Sequence, residues 1–592
     1  MVGGGAAVFL SLFHRPAATA RRLGNTAEQA PVTADVSKAQ VVSGQANPAG
    51  VTAAWIAAEN AKPGTTGWKL TDVATAGEIA GYADSTSARS GQVVTLFVST
   101  AAPTFRVDAY RMGFYQSTGA RLVWSSDDTA SLRQPRPTFT AATNMVEANW
   151  QPSLQVPTTG WPEGEYLFKL TAGTGKQQYV PLTVRNDRST AAYAVINAVT
   201  TWQAYNLWGG YSLYAGGDAA QPSRRSRVVS FDRPYKFGDG AGDFLSLEYP
   251  AVSLMESLGL DVTYLTDVDL HEQPGLLLAH RAVFSLGHDE YYSMAMRNGL
   301  VAARDHGVNL AFLGANAIYR HIRFGPSPLG PDRHQIDYKS AQEDPLNGKD
   351  NADVTVNWRD PPNSNPESQL IGDFYQCNPV RADMVVADPT NWLFAGTGAY
   401  PGQRLPNVVG SEYDRYDPRV PGPTNVEILT HSPVTCHGSP DYADATYYSV
   451  ASGAGVFATG TIDFVGSLDA LCQPAGCAGQ VLGRVMANLL AAFGTGPAGR
   501  AHPSNPAQSA VQTRPPNNGG RATTTSPTAT DPPPIFGPVG PGGADTSAAP
   551  TTNAITEITT TTTTTIGTRN RFGPTPVRAT TTVPGSPRAY RP

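Results

Sequence analysis

From residue 188 to residue 495, short apolar runs alternate with longer segments of helical spacing, and few folds accommodate that order. "AAYAVINA", "DVTYLTD", "RAVFSLG" and "VNLAFLG" read as strands. "RAVFSLG" is almost wholly apolar, as a strand covered on both faces would be. "FLSLEYPAVSLMESLG" reads as a helix ending near Leu258, with Gly259 just past its end. "SMAMRNGLVAARDHG" reads as a second helix, stopped by Gly307, and "ANAIYRHI" opens a third. Strands that alternate with helices form right-handed βαβ units and a mostly parallel sheet.

Upstream, residues 49–187 change period. "GQVVTLFVST", "FRVDAYRM", "ARLVWSS", "SLQVPTT", "GEYLFKLTA" and "QQYVPLTVRN" are short β-rich runs broken by Gly, Pro, Asn and Asp. Even spacing of such runs predicts an antiparallel, immunoglobulin-like β-sandwich. No chemistry-bearing pattern occurs in it, so it reads as a scaffold or binding module.

The ends are different again. Residues 1–48 open with an apolar stretch, Val2 to Phe13, and Ala18, Thr19 and Ala20 have the small-x-small form of a cleavage site. The basic start of a signal peptide is missing, so a leader with no targeting role is the competing reading. Export is the expectation, to the outside or to the cell envelope. Residues 496–592 are rich in Pro, Thr, Gly and Ala and include the run Thr559 to Thr565. Such a tail buries too little apolar surface to offset its ordering entropy, and disorder is expected. Glycan attachment, passage through a cell wall and plain solvation all suit it.

Four cysteines, in a chain expected to be exported, favour disulfides. Cys472 and Cys477 are close in sequence, which leaves Cys377 with Cys436. Zinc is the rival, but the spacing lacks a Cys-x-x-Cys knuckle. A net charge of −5, with no basic stripe interleaved with aromatics, argues against nucleic acid as a partner.

In an open parallel sheet, ligands bind at the carboxyl ends of the strands. Three segments that follow strands should meet there: "TTWQAYNLWGGYSLY", "GHDEYYS" and "GANAIYRH". The first has too little periodicity for a helix and reads as a loop loaded with phenols. The Gly314 turn holds neither Ser nor Cys, so a nucleophile elbow is absent. No phosphate-binding glycine motif occurs either. What remains is a carboxylate, a histidine and tyrosines. A phenol titrates near ~10 and is a poor base, but a hard, highly charged cation stabilises phenolate. Tyrosinate and carboxylate oxygens suit ferric iron better than zinc.

These same stretches, with "GDFLSLEYPAVSLMESLGLDVTYLTDVDL", "GVNLAFLGANAIYRHIRF" and "SGAGVFATGTIDF", resemble the C-terminal domain of the N,N-dimethylformamidase large subunit over residues 190 to 495. In that family two tyrosines and a glutamate hold a mononuclear iron. The resemblance matches Tyr205 and Tyr214 to the tyrosines and Glu290 to the glutamate, with His288 beside them as a proton-transfer group. Tyr211 competes with Tyr214 for the second position, and Glu290 could instead cap the helix that starts near Ser293. Asn316 either orients a substrate carbonyl or only closes a turn. Trp202 and Trp208 read as apolar walls, and Arg233 and Lys236 as residues of the mouth or of a solvated loop.

The expectation is therefore a sandwich (49–187), then a doubly wound α/β domain of flavodoxin-like or class I amidotransferase-like type (188–495), then the tail. The expected activity is iron (Fe3+)-dependent hydrolysis of a small amide, with His288, Glu290 and Asn316 acting on the substrate. A small subunit or a homo-oligomer would be its partner. The alternatives are a non-catalytic, envelope-binding surface protein and a metal-free hydrolase acting through Glu290.

Overall fold

The largest sheet joins strands in the order Val262–Thr266, Tyr193–Asn197, Ala282–His288, Asn309–Ala315, Gly455–Ala458, Ser439–Ser449 and Glu427–Cys436. The first five run parallel and the last two pair antiparallel at one edge. The structure, a computed structural model, describes residues 51–217, 219–469 and 478–506. All of these fall in one unit, Met1–Gly537; the other, Pro538–Pro592, lies outside the described residues. So do the leader, the Cys472 and Cys477 pair, and the tail beyond residue 506.

Every residue of the parallel strands Tyr193–Asn197, Val262–Thr266, Ala282–His288 and Asn309–Ala315 is buried. Coverage on both faces explains their near-continuous apolar character. The helix Met294–Asp305 packs Met296, Leu300 and Ala303 against one face with Val283, Leu310 and Phe312. Gly307 past its end has φ +92°, and Gly259 past the helix Tyr249–Ser257 has φ +64°. Both are left-handed positions that end helices at little cost only for glycine.

The N-terminal strands fall where their alternation put them. Val93–Thr100 pairs with Ile79–Ala83 and Leu154–Pro157 in one antiparallel sheet. Thr104–Met112, Ala120–Ser125, Gly164–Ala172 and Gln177–Arg185 form a second, with Ser87–Arg89 added in parallel. Val94, Leu96 and Val98 pack against Val107, Phe168, Leu170 and Leu182 between the sheets. The opposite face of the second sheet meets the rest of the chain: Tyr110, Met112, Leu167 and Tyr179 share a core with Val252 and Met255. A buried Arg111–Glu256 pair at 2.7 Å crosses that junction, and Tyr264 donates to the same carboxylate at 2.9 Å.

Three expectations change. The chain is mostly β with several mixed sheets, because residues 316–454 add strands rather than crossover helices. "ANAIYRHI" opens no helix: Asn316 and Ile318 sit at φ 59° and 54°, a conformation an L-residue helix excludes. The chain instead enters the strand Arg320–Ser327, which pairs in parallel with Tyr291–Ser293. Residues 496–506, read as the start of the tail, are packed. Ala498 is buried, the Tyr447 hydroxyl donates to the His502 carbonyl at 2.8 Å, and Trp392 stacks on the His502 ring. Among the described residues no helix is long and apolar enough to cross a membrane.

Candidate metal centre

"TTWQAYNLWGGYSLY" begins as a helix, Val199–Tyr205, not as a loop. Val199 through Ala204 are all buried, so the helix has no polar face and shows no amphipathic period in sequence. It leaves the end of the strand Tyr193–Asn197 and places Tyr205 at its last turn. The chain then loops back to bring Tyr214 beside it. Arg233 braces that loop, donating to Gln203 Oε1 at 3.0 Å, to the Tyr211 carbonyl at 2.9 Å and to the Asn206 carbonyl at 3.0 Å. It is fully buried, so it does not line a mouth. Burial pushes its guanidinium down to about 9.

Glu290 lies between the strands Ala282–His288 and Tyr291–Ser293, and its backbone N–H donates to Thr201 Oγ1 at 2.9 Å. It does not cap the following helix; Ser293 does, its hydroxyl accepting from the Met296 N–H. The side chain turns toward the phenols. Tyr205 donates to Glu290 Oε2 at 2.8 Å. The Tyr214 hydroxyl is 2.9 and 3.0 Å from the two Glu290 oxygens and 2.7 Å from the Tyr205 hydroxyl. The two tyrosine rings stack with centroids 4.3 Å apart. Tyr211, the rival, is elsewhere: its hydroxyl accepts from Arg224 and its ring packs on Phe139.

His288 extends the cluster. Its ring lies 5.2 Å from that of Tyr205, and Nε2 is 3.5 Å from Glu290 Oε2. The same Nε2 is 3.8 Å from Oε2 of Glu412, a residue the sequence reading missed. Glu412 lies on the strand Arg404–Arg415 and is fully buried. Its Oε1 accepts from Asn378 at 3.2 Å, and the Asn316 side chain also hydrogen-bonds it. Asn316 is fixed through its backbone N–H, which donates to Asp414 Oδ1 at 2.8 Å. Asn316 Oδ1 and Glu412 Oε2 are buried with no hydrogen-bond partner among the described residues. Such orphaned atoms are uncommon in native interiors and mark positions where a ligand or water is needed.

Three further residues were not legible. Tyr291 donates to the Tyr214 hydroxyl at 2.7 Å. Lys339 donates to Tyr291 at 3.0 Å and sits 3.3 Å above the Tyr214 ring centroid, a cation–π distance. Arg320 Nε lies 3.4 Å from Glu290 Oε1. All three come from the four-stranded sheet or the turn beyond it; Tyr291 and Arg320 stand in the strings "GHDEYYS" and "GANAIYRH" but carry no role in the sequence reading, and Lys339 lies outside them. Trp202 and Trp208 stand back from the phenols: Trp202 packs on Phe244 and donates to Glu248, and Trp208 packs on Trp150.

Burial raises the phenols of Tyr205, Tyr214 and Tyr291 well above their ordinary value, and the Glu290 charge adds to the rise. With protons in place Tyr205 and Tyr214 donate to the Glu290 carboxylate, and Tyr291 donates to Tyr214. Replacing those protons by a cation needs little movement. Two oxygens at right angles, each about 2.0–2.1 Å from one small hard cation, stand about 2.9 Å apart. The Tyr205, Tyr214 and Glu290 oxygens already stand 2.7–3.0 Å apart. An all-oxygen, phenol-rich donor set fits a hard trivalent ion. Burial also pushes His288 down to about 4, so its imidazole is neutral.

The one other metal-like grouping among the described residues is Cys377, Cys436 and His437. Its cysteines are joined in a disulfide, as their pairing by elimination predicted, and offer no thiolates.

The family model for N,N-dimethylformamidase beta subunit-like, C-terminal proteins matches residues 106–478, more than half the chain. The chain belongs to that family. For this dimethylformamidase-like chain the match starts within the strand Thr104–Met112, well before residue 190, so it takes in part of the N-terminal sheets. No curated protein matches it. Among solved structures it is similar to a Paenibacillus sp. cycloisomaltooligosaccharide glucanotransferase complexed with cycloisomaltoheptaose. That similarity is 7% identity with a TM-score of 0.16, over 53% of this chain and 63% of that one, and it supports no conclusion about fold or function.

Proposed function

We propose that the protein is an iron-dependent hydrolase of small, non-peptide amides of the N,N-dimethylformamide kind. The observation that carries this reading is the convergence of Tyr205 and Tyr214, from one segment, with Glu290, from another 76–85 residues downstream, their oxygens meeting within 3.0 Å. Family membership supports the same three as the ligands. A bound ferric ion would polarise the amide carbonyl and make its water acidic enough to attack. The chain's own groups do the rest. Neutral His288, between Glu290 and Glu412, takes the proton lost by the attacking water. Burial and the Glu290 charge keep a proton on Glu412; it hands that proton to the departing amine and regains one from His288, and Asn316 Oδ1 accepts a hydrogen bond from the protonated amine. Arg320 offsets negative charge on Glu290, and Lys339 holds the Tyr291 hydroxyl.

The doubly wound reading of the parallel strands and the immunoglobulin-like reading of the N-terminal sheets belong to the same proposal. So does export, which the Cys377–Cys436 disulfide supports, since such bonds persist in oxidising compartments. The test is direct. Purified iron-loaded protein is incubated with N,N-dimethylformamide, and amine and formate are measured. Stoichiometric release of both supports the reading; release that is equal with and without iron contradicts it.

A further inference from the structure

We propose that Asn378 is a positioning residue for Glu412 and that the Cys377–Cys436 disulfide holds Asn378 in place. The inference rests on the reading of Glu412 as the group that serves the departing amine.

Glu412 has two faces. Oε2 is turned to His288, Oε1 accepts from Asn378, and the Asn316 side chain also hydrogen-bonds the carboxyl. A buried carboxyl on two rotatable bonds keeps one orientation only if donors fix one of its oxygens. Asn378 is such a donor, and it is itself buried.

The backbone under Asn378 is not held by its sheet. The strands Phe374–Val385 and Arg404–Arg415 pair antiparallel, with Cys377 opposite Tyr413 and Val380 opposite Ser411. Between those partners two residues, Asn378 and Pro379, face one, Glu412. This is a bulge, which leaves residues outside the ladder and re-aims side chains. Pro379 has no N–H to restore the pairing. The constraint comes from the side. Cys377 is bonded to Cys436, the last residue of the strand Glu427–Cys436. The two sulfurs lie 3.7 and 3.5 Å from the Asn378 carbonyl oxygen, and Cys436 Sγ is 3.9 Å from that of Pro379. The bond thus grips the bulge whose one side chain reaches the catalytic carboxyl.

A disulfide that only stabilises the fold lowers the unfolding temperature when removed and leaves turnover per iron unchanged. A positioning disulfide lowers kcat. The experiment compares Asn378→Asp, which keeps the shape but loses the donor, and Cys377→Ala/Cys436→Ala, each alone and in the Glu412→Gln background. Iron content and visible absorption serve as the check of folding. The expected result is a kcat lower by about tenfold or more in each variant, with KM and iron content retained. In the Glu412→Gln background neither change should lower kcat further, because the effect passes through Glu412. Unchanged kcat, or an equal loss in both backgrounds, overturns the inference. Hydrogen exchange across residues 408–415 supplies a readout free of activity. Faster exchange there in both Asn378→Asp and the cysteine variant, with exchange elsewhere in the chain unchanged, supports the inference even if no amide is hydrolysed; exchange there equal to that of the unaltered protein, or raised throughout the chain, overturns it. Absence of turnover in the unaltered protein counts against the proposed function instead.

Discussion

Tyr205 donates a 2.8 Å hydrogen bond to Glu290 although 85 residues separate them. The contact exists because the helix after one parallel strand and the turn after its neighbour leave the same edge of the sheet. Parallel strands put successive loops on one side, and the phenols and the carboxylate meet there.

In the proposed reaction Glu412 acts on substrate and holds no metal. Glu412→Gln should keep iron and colour while kcat falls by about 10²–10⁴-fold, the usual scale for loss of a proton-transfer group. Metal analysis beside steady-state kinetics checks this; loss of iron in the variant would make Glu412 a ligand instead.

Arg233 links structure to site through the loop between Tyr205 and Tyr214. Arg233→Met removes a buried guanidinium and strands the carbonyls of Asn206 and Tyr211. The expected cost is about 2–5 kcal/mol of stability, with weaker iron retention, because the two phenols depend on that loop. Denaturant unfolding and iron titration measure the two effects.

How much of this could be read beforehand follows from what each element shows to water. The strands Gly164–Ala172 and Gln177–Arg185 and the helix Met294–Asp305 stand where alternation and terminating glycines put them. The helix Val199–Tyr205 was invisible because burial on all sides erases the period that marks a helix. The strings that hold Tyr205, Tyr214, Glu290 and His288 stand out after strands, and the family resemblance picks these four residues within them. Glu412 was not found, since it stands in an ordinary strand more than 100 residues downstream, and only the chain's return brings it to His288. Lys339 arrives by the same route, whereas Arg320 stands in "GANAIYRH", a string expected at that edge.

Glu165 gives a pH-dependent prediction away from the site. Burial raises its carboxyl to about 8 from an ordinary value of 4.5. Below pH 4.5 it is protonated in both folded and unfolded chains and contributes no pH dependence. Between pH 4.5 and about 8 only the unfolded chain ionises, so stability falls as pH rises, by up to about 1.4 kcal/mol per unit. Above about 8 the folded chain ionises too and the loss levels off. Glu165→Gln should therefore flatten the stability profile in that window, by a few kcal/mol at pH 8 relative to pH 5. Thermal melts of both proteins across the range test it, and parallel profiles would show that Glu165 ionises freely in the fold.

The most direct measurement is iron content with the visible spectrum of the purified protein, beside Tyr205→Phe and Glu290→Ala. The account predicts one iron per chain with a phenolate-to-iron charge-transfer band, and loss of both metal and band in each variant. Colourless protein that takes up no ferric iron, or variants that bind it as the unaltered protein does, would contradict it.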